Sequence, residues 1–127
     1  GKGCDILARN KKTPLSPWAT TIQGTKNDSY VRVSDSLWEN ENYKKLSSSA
    51  KLIYLYMGRT SDYARHKGAT DFTFPRAVYH GKYGIPPATF NRAFKELEGL
   101  FVECTFRGKN QRQASKYKMV NRWKING

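Results

Sequence analysis

A single glycine, Gly84, separates two short segments whose apolar residues recur at helical spacing, and a chain with that arrangement has few ways to fold. On its C-terminal side, in "IPPATFNRAFKELEGL" (residues 85–100), Phe90, Ala93, Phe94 and Leu97 fall at steps of three and four, which stacks them on one side of a helix of about 3.6 residues per turn. Pro86 and Pro87 mark its start, because proline has no N–H to leave unpaired in a first turn; Gly99 supplies the stop. On the N-terminal side, Pro75 opens a shorter helix that runs to about Tyr83. A tight helix-to-helix turn requires a residue that accepts positive φ, and Gly84 is that residue. Tyr79, Tyr83, Ile85, Phe90 and Ala93 then fall where two such helices pack on each other, the spacing of a helix-turn-helix.

The flanking segments complete the pattern. "YVRVS" (Tyr30 to Ser34) alternates like a short strand, and "SDSLWENENYKKL" offers one capped short helix with Leu37, Trp38, Tyr43 and Leu46 inward. Ser47 to Ser49 supply the next cap. "AKLIYLYM" is apolar almost all round and is expected as the buried central helix, ending near Thr60 to Ala64 before the polar loop "RHKGATD". "DFTF" alternates Phe72 and Phe74 as a short strand. After the helix pair, "FVECTFR" and "SKYKMVNRW" alternate as strands, with Val102, Cys104 and Phe106 on one and Tyr117, Met119 and Trp123 on the other. The polar loop "GKNQRQA" between them carries Lys109 and Arg112. A helix-turn-helix followed by a hairpin with a basic tip is a winged helix, so the expected class is α/β in the α+β sense: a winged helix-turn-helix with a C-terminal β-hairpin wing. Residues 30–127 form this domain. Residues 1–29, rich in Lys, Thr, Ser, Asn, Gly and Pro and anchored only by Leu15, Trp18 and Ile22, read as an extended basic N-terminal arm.

Charge sets the class of partner. The chain carries a formal charge of +13, and residues 72–127 hold eleven Lys/Arg against three Asp/Glu. Such a field attracts a polyanion: nucleic acid, or an anionic membrane surface. The membrane reading needs a long apolar run or a basic amphipathic helix with a broad oily face, and the sequence has neither. A composition 38% hydrophobic and 13% aromatic is that of a folded domain with a modest core.

Two isolated cysteines, Cys4 and Cys104, suit a reducing cytoplasm, and with only His66 and His80 beside them no metal-ligand spacing can be assembled. No secretory signal pattern is read, and the opening residues are left out of the fold argument. No nucleophile or carboxylate pair stands where either histidine would serve as a general base, so no catalytic residue, cofactor or metal is expected. His66 reads as a loop residue and His80 as a helix-surface one. Tyr54, Tyr56, Tyr79, Tyr83 and Tyr117 are explained as core and interface aromatics rather than as DNA-nicking nucleophiles.

From "RVSDSLWENENYKKLSSSAKLIYLYM" to "ASKYKMVNRWK", roughly residues 32 to 124, the chain resembles the winged-helix domains of replication-initiator and related helix-turn-helix proteins of plasmids, phages and integrative elements of Gram-positive bacteria. The likeness rests on the order of "LWENENYKKLSSSAKLIY", "YGIPPATFNRAFKELEGL" and the terminal hairpin. It implies DNA binding through the second helix of the pair, in replication initiation or transcriptional control. Thr89, Asn91, Arg92 and Lys95 are then the groups on the groove side: arginine pairs with guanine, asparagine with adenine, and Ala88 or the Thr89 methyl meets a thymine methyl. Lys95, a turn later, is placed for phosphate. Arg107, Lys109, Asn110 and Arg112 lie in the wing, for backbone or minor groove, and Arg76, Lys82, Lys116 and Lys118 flank them for phosphates. Arg9, Lys11 and Lys12 of the arm have the composition for a minor groove, the alternative being a disordered or partner-packed tail. For each basic residue the alternative is an ordinary solvated surface. A cytoplasmic bacterial or mobile-element protein that binds double-stranded DNA is therefore expected. The other reading is a protein-interaction module in a replication or conjugation complex, whose partner is a second copy or a replication-complex protein and in which Trp18 and Trp38 matter more than Arg92.

Overall fold

The computed structural model describes residues 31–109 and 113–124, all within a unit running from Val31 to Gly127. The expected arm, Tyr30, Asn110 and Arg112 lie outside the described residues. The elements, in chain order, are α1 (Asp35–Trp38), α2 (Glu41–Lys44), α3 (Ser48–His66), β1 (Phe72–Thr73), α4 (Ala77–Lys82), α5 (Pro87–Leu97), β2 (Val102–Phe106), β3 (Lys116–Met119) and a closing 3-10 turn (Arg122–Lys124). Helices and a small three-stranded antiparallel sheet, in the order β1-β3-β2, share one core, an α+β arrangement.

That core follows from the stripes. Ala50, Ile53 and Met57 of α3 meet Phe90, Ala93, Phe94 and Leu97 of α5, and Phe72, Phe74, Phe101, Val102, Tyr117 and Trp123 close the far side. Burying each such large apolar side chain stabilises by about 1.5–3 kcal/mol. Ser47 begins α3 with its hydroxyl accepting from the Ala50 amide at 3.1 Å, as its cap position requires. Gly99, at φ 105°, follows the end of α5, and its amide donates to the Val102 carbonyl at 2.9 Å.

Several expectations change. Residues 31–34 form no strand; Val31 and Val33 are half-buried and Arg32 and Ser34 exposed, so the alternation describes burial without a ladder partner. The single helix expected over residues 35–46 is two four-residue helices. Asn40 breaks it by accepting at its Oδ1 from the Asn42 and Tyr43 backbone amides at 2.8 and 3.3 Å, while the side-chain Nδ2 groups of Asn40 and Asn42 each donate to the Trp123 carbonyl at 3.1 Å. A side chain capping a new helix here outcompetes continuation of the old one. Trp38 is consequently the last residue of α1 and turns outward, 49% exposed, edge-on to Tyr43.

The helix α3 runs on to His66, and it is not buried all round, since Leu52 is 46% exposed. In the hairpin, a shift of register between Cys104 and Phe106 breaks the alternation of β2 and leaves Phe106 45% exposed rather than inward, as an extra residue in one strand does. Trp123 is buried, but from the 3-10 turn rather than from a strand.

Candidate nucleic-acid interface

The surface begins with how α4 is wound. It is a π-helix, with the Tyr83 amide donating to the Val78 carbonyl at 3.1 Å, an i→i+5 bond. Tyr79 and Tyr83 both stack on Phe74, with centroids 6.1 and 6.2 Å away, and each has a second ring partner. Tyr79 stacks on Phe90 of α5 with ring centroids 4.1 Å apart and 11° between planes, and Tyr83 stacks on Tyr56 of α3 at 4.0 Å and 8°. The expected contact between the helices of the pair is therefore made by Tyr79, while Tyr83 docks on α3. His80 is exposed on α4, and its Nδ1 donates to the Ile85 carbonyl at 3.2 Å. Gly84 turns the chain at φ 72°.

Pro86 occupies the cap position of α5 and has no side-chain acceptor, so no side chain caps the first-turn amides. Such amides are suited to an anion. With Phe90, Ala93, Phe94 and Leu97 buried, rotation leaves Ala88, Asn91, Arg92 and Lys95 exposed and Thr89 half-buried. Asn91, Arg92 and Lys95 make no side-chain hydrogen bond or ion pair among the described residues. Glu96 is different: both its oxygens accept from Ser47, from the amide at 2.8 Å and the hydroxyl at 2.7 Å. One of the two acids near the face is thereby tied to another helix.

In the hairpin, Arg107 and Lys109 are exposed. The base of the loop is closed by the Gly108 amide donating to the Ser115 hydroxyl at 3.1 Å, and a Cβ on Gly108 would run into the Gln113 carbonyl. Lys116 and Lys118 are exposed on β3, but Lys118 pairs in register with Glu103 and lines a cavity with Arg32, Asp62 and Arg65 to which α4 and α5 contribute nothing. Asn91, Arg92 and Lys95 thus share the exposed face of α5 with Thr89 at its half-buried edge, Arg76 and Lys82 stand at the two ends of α4, and Arg107 and Lys109 stand on the hairpin. Arg112 lies outside the described residues.

Burial pushes the phenols of Tyr43, Tyr54 and Tyr117 above the usual tyrosine range. These rings are protonated at neutral pH and are spent on packing. Among the described residues, no group of three His, Cys, Asp or Glu is placed to hold a metal ion, and no helix is long and apolar enough to cross a membrane.

Three contacts escape sequence reasoning: Glu96 with Ser47, Arg122 with both the Glu103 carboxylate at 2.9 Å and the Gly99 carbonyl at 3.0 Å, and the Thr105 hydroxyl with Asp71 at 2.9 Å. Each joins segments far apart in the chain, and no local pattern marks them. Neither protein-family models, nor curated proteins, nor solved structures give a match to this chain.

Proposed function

We propose that this unit is a winged helix that binds double-stranded DNA with sequence preference, with α5 in the major groove and the β2–β3 hairpin as the wing. The observation that carries the reading is the face of α5, where Asn91, Arg92 and Lys95 stand exposed and unpaired among the described residues on a helix whose opposite side is fixed in the core. A groove about 12 Å wide admits one helix, and its base edges take paired hydrogen bonds from Arg and Asn. The surplus of Lys and Arg over residues 72–127 favours a polyanion. Replication initiation on a mobile element, or its control, is the role the resemblance suggests; transcriptional regulation uses the same contacts.

Titration of a mixed duplex pool at several salt concentrations tests the reading. With five to eight phosphate contacts, log affinity falls against log salt with a slope of roughly −4 to −7. A slope near −1 removes nucleic acid as the principal ligand. A second reading, a module that binds another protein, is favoured by the outward turn of Trp38; absence of duplex binding at low salt selects it.

A further inference from the structure

Along α3, Leu52, Tyr56, Arg59 and Tyr63 fall at steps of four, three and four and so share one side of the helix. Tyr56 is covered by Tyr83, but Tyr63, one turn beyond Arg59, is 54% exposed. Between this side of α3 and α4 lies a recess of about 230 Å³ lined by Arg59, Thr60, Tyr63, Val78, Lys82 and Tyr83. Lysines lie over the rings: Lys67 Nζ is 4.8 Å from the Tyr63 centroid and Lys82 Nζ 5.4 Å from that of Tyr83. No carboxylate lines the recess, and the nearest in sequence, Asp62, lines the cavity on the opposite side of α3.

We infer that this recess binds an unpaired nucleotide of a single-stranded nucleic acid, the base stacking on Tyr63 and the flanking phosphates meeting Arg59, Lys67 and Lys82. Each part of the recess fits that ligand. An exposed phenol ring offers a stacking platform that any base can use, and cations beside it track a sugar-phosphate backbone. The volume is below the roughly 300 Å³ at which pockets for drug-sized ligands begin, a size for one planar ring. The Thr60 hydroxyl donates to the Tyr56 carbonyl at 3.1 Å, which leaves its lone pairs to accept from a base N–H, the thymine N3–H included. A duplex presents no free base face, so the base must be unpaired. The site is on α3 and α4 and shares with the proposed duplex surface only Lys82, so it does not depend on the duplex reading of α5.

The test is fluorescence anisotropy of a labelled oligothymidylate of about ten nucleotides, alongside a blunt duplex, with the whole chain and with Tyr63→Ala, Tyr63→Phe and Leu52→Ala. Matched melting temperatures exclude unfolding. Tyr63→Ala is expected to weaken single-strand binding about tenfold and to leave duplex binding unchanged, with Tyr63→Phe restoring affinity and Leu52→Ala neutral. The proposal is overturned if the parent does not bind the single strand, if Tyr63→Ala binds it as tightly as the parent, or if single-strand and duplex affinities fall together. Loss of duplex binding alone in the parent would sink the α5 reading and leave this one standing.

Discussion

Glu96, in the last turn of α5, clasps Ser47 at the start of α3 with both carboxylate oxygens, at 2.8 Å to the amide and 2.7 Å to the hydroxyl. A capping box usually closes a helix start with a Glu or Gln three residues after the cap. In α3 that position is Ala50, and α5 supplies the missing carboxylate from 49 residues away. The negative group also lies at the positive end of a 19-residue helix. One contact thus completes the start of α3 and ties the last turn of α5 to it.

Replacing Glu96 with alanine is expected to lower stability by about 1 kcal/mol, and Ser47→Ala by about 1 kcal/mol or slightly more because the hydroxyl also caps Ala50. Urea unfolding of both single variants and the double variant measures the coupling. Strictly additive losses would mean that the two groups do not interact in solution.

On the proposed DNA face, Arg92→Ala is expected to cost about 1–3 kcal/mol on a selected site and much less on unrelated duplex, since a lost base contact removes discrimination and spares phosphate contacts. Asn91→Ala should behave alike at a different base position. The deciding quantity is the ratio of specific to non-specific affinity in variants that melt with the parent, and a ratio unchanged in both returns the face to solvated surface.

For the hairpin, Lys109→Ala is expected to weaken every duplex by a similar factor and to reduce the salt slope by about one. Arg112→Ala tests the other basic residue of the loop in the same way. Unaltered affinity and slope in the pair of variants would show that the hairpin tip does not touch phosphate.

Gly84→Ala isolates the cost of the turn. Its backbone lies at φ 72° and nothing stands within 4 Å of an added Cβ, so the penalty is conformational alone, about 1–2 kcal/mol. A calorimetric melting temperature equal to that of the parent would contradict it.

Alkaline pH provides a separate check on the core. The buried phenols of Tyr43, Tyr54 and Tyr117 have pKa values raised above the usual 10.0, so above that pH the unfolded chain binds fewer protons than the folded one, and stability falls as pH rises. The contribution is fully present below about pH 10 and is lost as pH climbs through the folded values. Melting temperatures are expected to show no loss from these phenols between pH 7 and 9 and to drop beyond 10, with a smaller drop in Tyr117→Phe.

How much of this was legible beforehand depends on the reach of each interaction. The α5 stripe, the Ser47 cap and the Gly84 turn are local patterns of apolar spacing and backbone preference and stand where periodicity placed them; the hairpin forms from the two expected runs, but its second strand stops at Met119, short of Trp123. Trp38 and Phe106 were misread because an apolar residue at the right spacing turns outward once Asn40 ends one helix and a register shift interrupts one strand. The π-winding of α4 rests on the i→i+5 bond from the Tyr83 amide to the Val78 carbonyl, which no apolar spacing marks. On the candidate face, helical rotation alone located Asn91, Arg92 and Lys95, whereas the removal of Glu96 from that face needed a partner on another helix.

The aromatic contacts behind α5 bear on what association costs. Rings follow one another from Tyr79 through Phe90 and Phe94 to Tyr117, with centroid separations of 4.1, 5.9 and 5.1 Å, so that α4, α5 and β3 are joined through side chains of one rigid kind. The backbone that carries Asn91, Arg92 and Lys95 is consequently ordered before any partner arrives. If the proposed duplex binds there, what remains to be immobilised is the rotor freedom of those few side chains, about 0.5–1.5 kcal/mol each, and the proposed surface is in this sense preorganised.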